Sequence, residues 1–138
     1  MNDPSPKSIV TTAEIIDRLT QATVDLLWSS ESDYPFEIVT WIQGTELSPV
    51  ALFGDLDDAK IESMTLADLF EPVLAVEDWY GAAELAQVDR YVDLLQAIEA
   101  SLADVRVFRV GEVEIGVYIV GKAPAGDIVG LKTYVVET

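Results

Sequence analysis

The chain has 138 residues, half of them hydrophobic, with no cysteine and no histidine; that length suits one domain, 1–138, with an ordinary apolar core. Without those two residue types there is no disulfide framework, no zinc site built on His or Cys, no Ser-His-Asp triad and no thiol nucleophile. Twenty-five acids against eight bases leave a net charge of −17, so the molecule repels phosphate backbones and anionic membranes and attracts basic surfaces.

Residues 1–9, with Pro4 and Pro6, read as a loose arm. They lack the basic start and apolar stretch of a signal peptide, and no apolar run approaches the roughly 20 residues that span a bilayer. A cytoplasmic protein is the expectation. At Thr11 a helix begins: Thr11 and Glu14 form a capping box, and Val10 can staple against Ile15. Ile15, Ile16, Leu19, Ala22, Thr23, Leu26 and Leu27 continue it as an apolar stripe, opposite Asp17, Arg18, Gln21 and Asp25. Residues 29–35 read as a loop, in which Pro35 extends Tyr34 and lets a strand follow at Phe36–Ile42. Val50–Phe53 reads as a strand pairing beside it across a turn around 44–49. Trp28 and Trp41 are assigned to the core.

The stretch 54–77 carries the weakest pattern, with a short helix expected at Leu66–Phe70, ended by Pro72. A long helix follows from Ala82 to Ala103, its stripe being Val88, Tyr91, Leu94, Leu95, Ile98 and Leu102. Strands are then expected at Val105–Val110, Val113–Val120 and, after a turn at 121–126, Ile128–Val136. Short connections imply antiparallel pairing. The expected fold is α+β, an α/β/α sandwich around a mainly antiparallel sheet with helices on both faces.

The acidity is uneven. From Leu19 to Asp89 there are 15 acids and one base, Lys60, whereas Arg90 to Thr138 holds seven acids and five bases. Solubility needs no such asymmetry, so one side is expected to face a basic partner. The last strand also runs almost to the end of the chain, leaving only Glu137 and Thr138 beyond Val136. A strand-anchored terminus can present its carboxylate rigidly.

Three separated strings carry a resemblance. They are SESDYPFE at 30–37, DWY at 78–80, and the block 107–138 with RVGEVEIGVYIVG, PAGDIVG and the closing VVET. Together they resemble the nuclease A inhibitor family, protein inhibitors of a sugar-non-specific DNA/RNA endonuclease. The likeness covers about two-thirds of the chain and is weakest between Gln43 and Val76. It implies an α/β/α sandwich with no cofactor of its own, monomeric when free, that forms a one-to-one complex with a Mg²⁺-dependent nuclease. It further implies that the C-terminus enters the enzyme's basic cleft and that Thr138 reaches the catalytic metal, which belongs to the nuclease. Glu31, Asp78 and Trp79 match the remaining contact positions.

The same residues have plainer readings. Mg²⁺ prefers hard oxygen ligands, and a C-terminal threonine offers a carboxylate and a hydroxyl together; equally, Thr138 is simply the last residue. Glu31 lies in a Ser/Asp-rich loop and can be a solvated turn acid. Trp79 at a helix entry can be half-buried packing, with Asp78 capping a turn. Glu112 and Glu114 could serve as paired carboxylates of a hydrolase, but they read as an exposed strand face. Gly111 and Gly116 lack the strand–loop–helix setting of a phosphate-binding loop. The chain is therefore expected to be a nuclease inhibitor and not an enzyme; the alternative is an acidic interaction protein of the same fold with a different basic partner.

Overall fold

The computed structural model of the chain describes residues 11–29, 33–54 and 61–137. The expected arm at 1–9, the Val10 staple, Glu31 and Thr138 lie outside them. In chain order the elements are α1 (Thr12–Thr23), β1 (Leu27–Ser29), β2 (Asp33–Pro35), β3 (Glu37–Trp41), α2 (Pro49–Phe53), β4 (Ile61–Met64), α3 (Leu66–Leu74), α4 (Ala82–Ser101), β5 (Ala103–Val110), β6 (Glu114–Lys122) and β7 (Ile128–Val136). Among the described residues no helix is long and apolar enough to cross a membrane.

Five strands form an antiparallel sheet in the order β3-β7-β6-β5-β4, and β1-β2 is a separate hairpin. The long central pair β6–β7 runs in unbroken register from Glu114↔Val136 to Lys122↔Ile128. Alternation along these strands divides the core in two. Ile115, Val117, Ile119, Val129, Leu131 and Val135 point to one face, where they pack with Ile15 and Leu19 of α1, Phe70 of α3, and Leu94 and Ile98 of α4. Phe108, Val120 and Ile128 point to the other, where Leu47 and Leu52 close over them. Helices thus cover both faces of an α+β sandwich.

Several local outcomes differ from the sequence expectations. Helix α1 has its capping box at Thr11 and Glu14 but stops at Thr23; Val24 is extended and Asp25 takes a positive φ of 57°. Leu26–Trp28 therefore leaves the helical stripe, yet Trp28 still reaches the core from β1, edge-on to Phe36, Phe70 and Tyr91. Arg90 of α4 takes up the freed carbonyls, donating to the oxygens of Ala22 and Val24 at 3.2 and 2.7 Å. Val50–Phe53 is helical and not a strand: Ser48 caps it by accepting from the Ala51 N–H, and Pro49 begins it. This short α2, and neither of the two long helices, covers the second face; α1 and α4 lie together on the first. Helix α3 continues past Pro72 to Leu74, because Val73 and Leu74 pack against the core.

Candidate functional site

The turn between α3 and α4 carries Asp78 and Trp79. Its closing bond runs from the Tyr80 N–H to the Glu77 carbonyl, 3.1 Å. Gly81 then caps α4, and its N–H donates to the Glu84 carboxylate at 2.9 Å. The helix cap therefore belongs to Gly81 and Glu84, and Asp78 stands free of that task on an exposed turn. Trp79 is 72% exposed, so it is no packing residue. Its ring meets Tyr80 edge-on with centroids 4.7 Å apart. Beside it lies a shallow depression of about 340 Å³ whose walls include Pro72, Val73, Tyr80, Glu84 and Tyr91. The indole is thus left open to solvent on a braced turn beside acids.

The C-terminal end of the sheet is the second part. Beyond β7 the Glu137 N–H donates to the Val113 carbonyl at 2.9 Å, extending the ladder by one residue. The Glu137 carboxylate accepts from Arg109 Nη2 on β5 at 2.6 Å. A smaller depression of about 200 Å³ joins Arg109 and Glu137 to Trp28, Pro72 and Val73. Pro72 and Val73 are thus walls common to both depressions.

The hairpin supplies the third part. Ser29 and Asp33 are register partners at its far end, flanking residues 30–32. The Thr133 hydroxyl donates to the Pro35 carbonyl at 2.9 Å, and the Tyr34 and Tyr134 rings lie 5.6 Å apart. Because Glu37 pairs with Lys132 antiparallel, tracing back from Glu37 towards Asp33 runs parallel to the course of β7 towards its end. Asp33 and Glu137 therefore lie towards the same end of the sheet.

Elsewhere the chemistry is sparse. Glu112 and Glu114 are both exposed, but only Glu114 stands on a strand; Glu112 lies in the bend before β6. Among the described residues no group of three or more acids is placed to hold a metal ion. Sequence reasoning missed Arg109 and the Pro72–Val73 wall; nothing local marks either, since each matters only through strands and helices distant in the chain.

A family model described as "Nuclease A inhibitor-like protein" matches residues 13–138. The chain belongs to the nuclease A inhibitor-like family. The match begins in α1 and runs without a break through 43–76, the stretch in which the three strings carry least. No curated protein matches the chain. Asp78, Trp79 and the Arg109–Glu137 pair all fall inside the matched span of this nuclease A inhibitor-like chain.

Proposed function

We propose that this chain inhibits a Mg²⁺-dependent, sugar-non-specific nuclease by occupying its substrate cleft as a one-to-one complex. The observation that carries the reading is Trp79: a large indole, 72% exposed, beside Asp78 on the turn before α4. Interface hot spots are enriched in tryptophan, and an exposed indole is free to serve as one. The nuclease must bind a polyanion, so its cleft is basic; a chain of net charge −17 is drawn to it by the same field that draws nucleic acid. In the complex Glu31 and Asp78 pair with basic side chains of the cleft, and Trp79 seals the contact against water. Thr138 brings its terminal carboxylate and hydroxyl to the nuclease-bound Mg²⁺, which accepts hard oxygen ligands. The chain itself performs no chemistry on this reading and works in the cytoplasm.

The test is a titration of such a nuclease, with both DNA and RNA as substrates, by the purified chain. Inhibition on both substrates with an endpoint at one equivalent supports the reading. Undiminished cleavage at micromolar protein would sink it, and would leave an acidic interaction protein with another basic partner.

A further inference from the structure

Arg109 is an unusual residue for its place. It lies on β5 opposite Glu62 and Val117, and its side chain is only 20% exposed. The guanidinium makes a 2.6 Å bond from Nη2 to the Glu137 carboxylate, while its Nε stands 3.9 Å from Glu62, beyond hydrogen-bonding distance. That Nε is buried and makes no hydrogen bond. Packing holds the arginine stem, because it lines a depression with Trp28, Leu69, Pro72 and Val135. Around it stand Glu62, Glu112 and Glu137, with Asp68 on the α3 side. Arg109 is the cation among four acids that otherwise repel one another. Glu137 is meanwhile tied by its N–H to the carbonyl of Val113, the residue that leads into β6. One residue is thus fixed by main chain to one strand and by side chain to the next, where a chain end ordinarily frays.

We propose that Arg109 is a positioning residue: its ion pair with Glu137 holds that residue in line with β7. The consequence for inhibition rests on the proposed function; the ordering of Glu137 does not. Removing the guanidinium frees the Glu137 side chain and leaves its carboxylate among uncompensated acids such as Glu62, so repulsion pushes Glu137 off its line. Charge-assisted bonds of this length are the stronger kind, so the effect exceeds that of an ordinary surface pair.

The experiment compares the full chain with Arg109→Gln and Glu137→Gln by amide hydrogen exchange of the free protein and by nuclease inhibition. Both variants should speed exchange at Glu137 by about tenfold or more while central β6 and β7 amides stay protected. Glu137→Gln alters a half-exposed side chain, so it remains informative should the arginine variant fold poorly. Arg109→Lys, which keeps the charge, should restore part of the protection. Unchanged Glu137 protection in Glu137→Gln overturns the proposal. Inhibition should weaken in both variants, and adding Arg109→Gln to a chain lacking Thr138 should weaken it no further. Additive losses overturn the positioning role and make Arg109 an independent contact. If the full chain inhibits nothing while Glu137 exchange responds as stated, the nuclease reading fails and the positioning of Glu137 stands.

Discussion

The phenolic hydroxyl of Tyr91 on α4 donates to the carbonyl oxygen of Leu27 on β1 at 2.5 Å, tying the hairpin to the long helix beneath the Trp79 turn. The Tyr91 ring is buried and edge-on to Trp28, so Tyr91→Phe keeps the packing, removes the acceptor of a 3.2 Å bond from Gln87 Nε2 and strands the carbonyl. That orphaned acceptor should cost about 1–2 kcal/mol, or about 3–6 °C in melting temperature for a chain of this size. Urea and thermal unfolding measure it; unchanged stability would mean that the carbonyl is hydrated.

Trp79→Ala separates binding from folding. The indole is largely exposed, so its loss should change stability by no more than about 0.5 kcal/mol. As the central aromatic of an interface it should weaken inhibition by about 30-fold or more. A large fall in melting temperature with little change in potency would reverse the assignment.

Gly130 sits in the middle of β7 opposite Val120. A Cβ there meets the Ile119 carbonyl oxygen and lies 2.8 Å from Val120 Cγ1, in the tightest part of the sheet. Gly130→Ala should therefore destabilise by about 2–3 kcal/mol, as overpacking of a core does. Urea denaturation checks this, and a neutral result would show that β6 and β7 can spread.

The Glu14 carboxyl lies below its ordinary value of 4.5, first because it accepts from the Thr11 backbone N–H and then from the Thr11 hydroxyl. A lowered folded-state value stabilises the fold above pH 4.5 and loses that contribution as pH falls through it. Glu14→Gln should flatten the acid limb of the stability profile below pH 4.5 by a small amount, since the group is exposed. A profile identical to the parent's would mean that the cap contributes nothing in solution.

Much of this fold is written locally. The Thr11–Glu14 box starts α1, and the β-branched run Ile128–Val136 is β7 to the residue. Where the pattern is short, it misleads. Val50–Phe53 is four apolar residues, too few to show a period, and the Ser48–Pro49 start signal outweighs their β-branching and aromaticity. The edge strand Ile61–Met64 was invisible because its partner, Val107–Val110, lies over 40 residues away. Of the candidate site, Asp78 and Trp79 are marked by the resemblance and not by their local pattern, and the exposure of Trp79 removes the packing reading. Arg109 could not be found so early, since its meaning comes from Glu137, two strands further on.

The central claim is tested most directly by comparing the full chain with one lacking Thr138, each titrated into a Mg²⁺-dependent, sugar-non-specific nuclease and each melted alone. The account predicts tight inhibition by the full chain, loss of about 30-fold or more on deletion, and the same melting temperature for both. Equal potency of the two chains would contradict it.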